Sequence, residues 1–161
     1  MNTNNTQSLA AIRQEYSLSS LDRKDLNDNP IQQFNSWFQH ALKAEIEEVN
    51  AMTLATCDQQ LKPSARIVLL KGIEKDCFIF YTNYESRKGI ELQQNQQVAL
   101  VFFWKELQRQ IRIEGIATKI AEEQSTNYFH SRPIESQLGA WASAQSTILE
   151  SLFCWALSSQ L

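Results

Sequence analysis

Arg66 and Lys71 bracket the apolar run Ile67, Val68, Leu69 and Leu70, and farther along Tyr81-Thr82 precedes the triplet Ser86-Arg87-Lys88. Cations gathered beside a run that belongs in a core call for an anionic counterpart. The triplet makes the physical case. Ser86 is an N-cap residue type ahead of a helical stretch over 87–95, and a helix N-terminus presents free N–H groups and partial positive charge. Arg87 and Lys88 in that first turn are unfavourable on their own. A bound phosphate reverses the sign, because the N–H groups and both side chains can then be directed at it.

The elements that position these groups follow from composition and periodicity. The chain has 161 residues, 43% hydrophobic and 20% charged, which suits one domain with a real core. A net charge of -3 argues against nucleic acid as the main partner, so the basic clusters read as local and ligand-sized. The polar start Met1-Asn2-Thr3-Asn4-Asn5-Thr6 lacks the apolar centre of a signal peptide, and the longest apolar stretch, 98–104, suits a buried strand and not a membrane span. A cytoplasmic protein without membrane contact is expected. Cys57, Cys77 and Cys154 are odd in number and widely spaced, so they read as buried thiols and not as disulfides or zinc ligands. His40 falls in an amphipathic helix, His130 has no second ligand at metal spacing, and no metal site is expected.

Helices are expected at the ends and strands in the middle. Leu9, Ile12 and Tyr16 mark a short N-terminal helix, followed by a charged connection over 18–29. Asn29 then caps a helix with Pro30 at its first position and an apolar stripe of Ile31, Phe34, Trp37, Phe38, Ala41, Leu42 and Ile46. Strand patterns cover 52–57, 63–71, 77–83, 98–104 and 108–120, the first two joined by the turn Asp58-Gln59-Gln60-Leu61-Lys62 as a hairpin. Gly72, Gly89, Gly115 and Gly139 form no GxGxxG or P-loop arrangement, so any phosphate must be held by side chains and one helix end. Without regular helix-strand alternation, the expected architecture is mainly β with flanking helices (α+β): a small closed or partly closed antiparallel barrel.

Six segments in register resemble the pyridoxine/pyridoxamine 5′-phosphate oxidase family: Arg13-Gln14-Glu15-Tyr16, Arg66 through Lys71, Phe80-Tyr81-Thr82-Asn83, Ser86-Arg87-Lys88, Arg109-Gln110, and Tyr128-Phe129-His130-Ser131-Arg132-Pro133 with Ser136-Gln137-Leu138-Gly139-Ala140-Trp141. The resemblance implies an FMN-binding split barrel over 30–146, preceded by a helix and substrate-covering segment over 1–29. It also implies a homodimer with FMN at the subunit interface. The implied reaction is FMN-dependent oxidation of pyridoxamine or pyridoxine 5′-phosphate to pyridoxal 5′-phosphate with oxygen, giving hydrogen peroxide, a step of vitamin B6 metabolism.

Carried over by position, the family's FMN contacts fall on Arg66, Ile67, Val68, Leu69, Leu70, Lys71, Tyr81, Thr82, Arg87, Lys88, Gln110, Gln145 and Ser146. Its substrate contacts fall on Arg13, Tyr16, Lys71, Tyr128, Arg132 and Ser136. These are positioning groups, and none is assigned as an acid or base; His130 is left out of the catalytic set. Read from the residues alone, Ile67 through Leu70 are core side chains whose flavin contact runs through backbone groups, Tyr81 and Thr82 suit strand packing or a cofactor contact alike, and Gln110 lies on a solvated face with Arg112 and Glu114. Arg66 and Lys71 are an odd number of residues apart, so a regular strand directs them to opposite faces unless Lys71, next to Gly72, leaves the strand. Arg132 is biased toward an extended conformation by Pro133 and could equally pair with Glu135 or stay solvated.

Past Ser146 the resemblance ends. Stretch 147–161 reads as an apolar helix through Ile148, Leu149, Leu152, Phe153 and Ala156, a divergent and truncated terminus that lacks the family's Trp, Arg and Arg-x-His strands. Two alternatives stay open: a catalytically weak FMN or B6-phosphate binding protein, and another split-barrel flavin oxidoreductase.

Overall fold

The computed structural model describes residue 18, residues 21–142 and residues 153–159, with side chains through residue 138. The expected helix around Leu9, Ile12 and Tyr16 lies outside the described residues.

After a single 3-10 turn at Arg23–Asp25, helix α1 (Pro30–Lys43) starts where the sequence places it. Asn29 Oδ1 accepts from the N–H groups of Ile31 and Gln32, and Pro30 fills the first position, where no N–H is needed. The helix buries Ile31, Phe34 and Ala41, with Trp37 and Phe38 partly covered, whereas Leu42 at the end of the expected stripe is exposed. Phe34 is the anchor: its ring meets Phe78 edge-on at 4.9 Å and lies 5.0 Å from Phe102 and 6.1 Å from Trp104. Trp104 closes this side by donating from Nε1 to the Val49 carbonyl at 3.0 Å.

Seven antiparallel strands form one sheet: β1 (Ala51–Cys57), β2 (Pro63–Leu69), β3 (Gly72–Glu74), β4 (Cys77–Thr82), β5 (Gln97–Trp104), β6 (Arg109–Lys119) and β7 (Phe153–Ser159), in the order β2-β1-β5-β6-β7-β4-β3. The β1-β2 hairpin is present in full register from Ala51 opposite Leu69 to Cys57 opposite Pro63. Its turn is tied by Asp58 Oδ1, which accepts from the N–H groups of Gln60 and Lys62.

The two edge strands of this sheet, β2 and β3, are consecutive in the chain and separated only by Leu70 and Lys71. A sheet whose opposite edges are joined by two residues has to curl until they meet. The seam is not laddered; in the connection, the Lys71 N–H donates to the Ile79 carbonyl of β4 at 2.8 Å, next to the Gly72–Ile79 pair. The result is a split antiparallel barrel with Met52, Leu54, Leu70, Phe78, Phe80, Leu100, Phe102 and Trp104 in its core. Helix α2 (Arg87–Gln94) follows β4, and α3 (Glu122–Ser131) and α4 (Ile134–Ala142) follow β6. Among the described residues no helix is long and apolar enough to cross a membrane.

Two expectations are corrected. The terminal stretch read as a helix is strand β7 over Phe153–Ser159, paired with β4 from Cys77–Ser158 to Thr82–Phe153 and with β6 from Gly115–Ser159 to Lys119–Trp155. A short apolar run suits either period, and hydrogen-bonding strands on both sides decide in favour of β. Residues 147–152 lie outside the described residues. Second, Cys57 and Cys77 are half-buried and not enclosed, because both sit at strand ends.

Candidate functional site

The seam of the barrel opens into a cleft of 740 Å³. Ile67, Val68, Leu69 and Lys71 line it from the β2 side, Tyr81, Thr82 and Asn83 from β4, and Lys88 from α2. Ser125, Tyr128 and Phe129 of α3, then Arg132, Pro133 and Ser136, complete it. Lys71, Lys88 and Arg132 bring three cations to this lining and no carboxylate joins them. An uncompensated cluster of this kind in a concave site favours an anion.

Strand alternation explains who faces the cleft. Ile67 and Leu69 lie on the outer face, exposed, and Lys71 continues their alternation past the end of β2. Leu70 is buried, and Val68 packs on the core while also reaching the cleft, so the apolar run divides between core and cleft where the residues alone suggested core throughout. Arg66, on the alternate face, does not line the cleft. Its Nη1 donates to the Leu54 carbonyl and Thr56 Oγ1, and its Nη2 to Ser64 Oγ and to Glu91 Oε2 at 3.0 Å.

Glu91 organises this corner. It is 3% exposed, and its Oε2 accepts from Thr56, Ser64 and Arg66 while Oε1 accepts from Arg87 Nε at 2.8 Å. Burial pushes its pKa up, but the hydrogen bonds from Ser64, Thr56, Arg87 and Arg66 outweigh burial and hold it at about 2. Ser86 caps α2 as expected: its Oγ accepts from the Gly89 N–H at 3.2 Å and donates to the Asn83 carbonyl at 2.6 Å. Lys88 is held below its ordinary 10.5, first by burial and then by the Arg66 charge.

The opposite wall is aromatic. Tyr81 of β4 and Tyr128 of α3 stack with centroids 3.5 Å apart and planes 9° apart. Arg132 takes the extended conformation that Pro133 imposes, at φ -75 and ψ 151, which ends α3 and turns the chain so that Tyr128, Arg132 and Ser136 line one wall. No carboxylate among the described residues pairs with Arg132; its carbonyl accepts from Gln137 Nε2 at 2.8 Å. Thr82 Oγ1 is buried without a hydrogen-bond partner among the described residues. An orphaned hydroxyl, cations that no carboxylate among the described residues pairs with, and stacked rings on one cleft suit a flat ring system that carries phosphate.

Of the site residues expected from sequence, the cleft gathers Ile67, Val68, Leu69, Lys71, Tyr81, Thr82, Lys88, Tyr128, Arg132 and Ser136. Leu70 is buried, Arg66 is held by Thr56, Ser64 and Glu91, and Arg87 stands outside the lining, paired with Glu91 and with its side chain 65% exposed. Gln110 is not in the cleft. It is exposed on β6 opposite Phe103, on the outer face that also carries Ile67. Arg13, Tyr16, Gln145 and Ser146 lie outside the described residues. The sequence reading missed Glu91 and, in the cleft lining, Asn83, Ser125, Phe129 and Pro133. Glu91 follows Arg87 by four residues, a spacing that reads as a solvated helical pair, and Ser125 shares a helical face with Tyr128.

A family model described as pyridoxamine 5′-phosphate oxidase matches residues 38–158. The chain is 60% identical over 138 residues to the pyridoxine/pyridoxamine 5′-phosphate oxidase of Leptospira interrogans, covering 86% of this chain and 64% of that protein. It is 57% identical over 143 residues to the one of Salinibacter ruber, covering 89% and 66%. The chain thus spans a little under two thirds of the length of these relatives. Among solved structures, PhzG from Burkholderia lata 383 superposes with a TM-score of 0.82 at 24% identity over 89% of this chain and 84% of that one. A pyridoxamine 5′-phosphate oxidase-related, FMN-binding protein from Nostoc punctiforme gives 0.65 at 16%, covering 81% of each. At those identities the structures establish the fold, and the sequence matches establish the lineage: this chain belongs to the pyridoxamine 5′-phosphate oxidase family.

Proposed function

We propose that the chain binds FMN and a B6 5′-phosphate at the seam cleft and oxidises pyridoxamine or pyridoxine 5′-phosphate to pyridoxal 5′-phosphate. The observation that carries this reading is the carboxylate-free cleft, with Lys71, Lys88 and Arg132 around the orphaned Thr82 hydroxyl and the Tyr81-Tyr128 stack. When bound, FMN supplies a two-electron acceptor that oxygen regenerates with release of hydrogen peroxide. The protein's part is placement. Lys88 and Arg87, at the capped start of α2, hold the flavin phosphate, and Thr82 gains a partner. Lys71, Tyr128, Arg132 and Ser136 hold the substrate phosphate, and Ile67, Val68 and Leu69 keep water from the ring edges. Domain bounds of 1–29, 30–146 and 147–161, and a cytoplasmic setting suited to free thiols, belong to the same reading.

A homodimer completes it. Ile67 is 64% exposed, Leu69 37% and Phe103 57%, all on the outer face of β2 and β5, an apolar surface that monomers rarely leave in water. Rows of paired residues run from Ile67 through Thr53 and Val101 to Arg112, so Gln110, two residues from Arg112, lies on that face as well. Packing a second copy there covers the open side of the cleft, and Gln110 then serves the partner's flavin.

The test is an FMN titration followed by addition of pyridoxamine 5′-phosphate under air. Pyridoxal 5′-phosphate and peroxide formed in equal amounts are expected. Absence of FMN binding overturns the cleft assignment. FMN binding without peroxide supports the second reading, a B6-phosphate or flavin binding protein.

A further inference from the structure

Glu91 stands apart from the groups that meet a ligand in the reading above, yet it joins three elements. Its carboxylate binds Thr56 of β1, Ser64 and Arg66 of β2, and Arg87 of its own helix. Its two oxygens do different work. Oε2 is enclosed with Arg66, which has side-chain exposure of only 22%, and neutralises a cation that has little water. Oε1 reaches out to Arg87, which is mostly in solvent and holds on through Nε alone. Nη1 and Nη2 of Arg87 have no acceptor among the described residues. Ser86 Oγ occupies the Gly89 N–H, leaving those of Arg87 and Lys88, in the first turn, free for an anion.

We propose that Glu91 is the positioning residue of the phosphate clamp: by fixing Arg87 through Nε beside the start of α2, it holds the two terminal nitrogens of the fork ready for the phosphate of the bound flavin. This rests on the proposed FMN site and adds to it a residue that never touches the ligand. A long exposed arginine loses side-chain freedom when it grips an anion, and an anchor at Nε removes most of that loss beforehand. The negative charge of Glu91 opposes the anion only weakly, since both its oxygens are covered by guanidinium groups. Three cations, Arg66, Arg87 and Lys88, against one carboxylate leave two positive charges, which matches a phosphate dianion.

Glu91→Gln separates the two oxygens. The amide oxygen replaces Oε2 toward Thr56, Ser64 and Arg66, whereas the amide nitrogen meets Arg87 Nε as donor against donor and releases it. The experiment measures affinity for FMN and for riboflavin, which lacks the phosphate, in the unaltered protein, Glu91→Gln, Arg87→Ala and the double variant. The expected result is FMN binding about tenfold weaker in Glu91→Gln, with riboflavin binding unchanged and no further loss in the double variant relative to Arg87→Ala. FMN binding by Glu91→Gln as tight as that of the unaltered protein overturns the proposal. So does equal weakening of both flavins, or a full loss that persists in the Arg87→Ala background, because either marks a structural role. Should the unaltered protein bind FMN no better than riboflavin, the phosphate site itself falls and the proposal with it.

Discussion

Tyr81 and Tyr128 lie face to face at 3.5 Å with their planes 9° apart, which brings a strand residue expected at the cofactor against a helix residue expected at the substrate. Each has an ordinary explanation in sheet or helix packing when considered alone. Their stacking ties α3 to β4 within one wall of the cleft, so Arg132 and Ser136 are registered against Thr82.

Tyr128→Phe keeps the stacked ring and removes only the hydroxyl. Pyridoxal 5′-phosphate binding should weaken by about 0.5 to 1.5 kcal/mol, the net value of one hydrogen bond, with FMN affinity unchanged. Equilibrium titration of both ligands checks this, and unchanged pyridoxal 5′-phosphate affinity removes Tyr128 from the substrate site.

Arg132→Ala removes a guanidinium that no carboxylate among the described residues holds. Binding of pyridoxal 5′-phosphate should fall by roughly 1.5 to 3 kcal/mol, as for a charge-assisted hydrogen bond, and FMN binding should stay nearly the same. Parallel loss of both ligands in calorimetry would count against separate phosphate sites.

Lys88 sets an alkaline limit. Burial and then Arg66 hold its ammonium below 10.5 in the free protein, and a bound phosphate pulls it back up. Binding therefore takes up a proton once Lys88 has lost its own. FMN affinity should be level through neutral pH and fall as pH rises through the lowered pKa, with the descent beginning below 10.5. In Lys88→Gln this alkaline limb should vanish from the affinity profile; its persistence would assign the titration elsewhere.

Glu91 sets an acid limit on folding. Its folded pKa of about 2 lies below the ordinary 4.5, so its contribution is complete above 4.5 and is lost as pH falls through about 2. A difference of that size corresponds to about 3 kcal/mol. Denaturant midpoints measured between neutral and acid pH should converge for the unaltered protein and Glu91→Gln. Parallel curves would show that Glu91 titrates normally.

Local chemistry wrote much of this protein into its sequence. Pro30 after Asn29, Ser86 before Arg87, the hairpin turn after Cys57 and the extended Arg132 before Pro133 each act within a few residues, and the structure has them all. The motifs that mark the family are also local, and so were readable in order along the chain. What sequence could not decide was anything set by partners far away in the chain. Segment 153–159 carries a helix-compatible apolar pattern and became β7 because β4 and β6 flank it. Ile67 and Leu69 face outward while Leu70 turns inward, because the seam and not the run's hydrophobicity assigns the faces. Glu91 looks like a surface partner of Arg87 four residues away; only the packing of α2 over β1 and β2 places it against Thr56, Ser64 and Arg66 and makes it a buried anion. Side-chain environment is a property of contacts between distant segments, and those exist only once the barrel has curled.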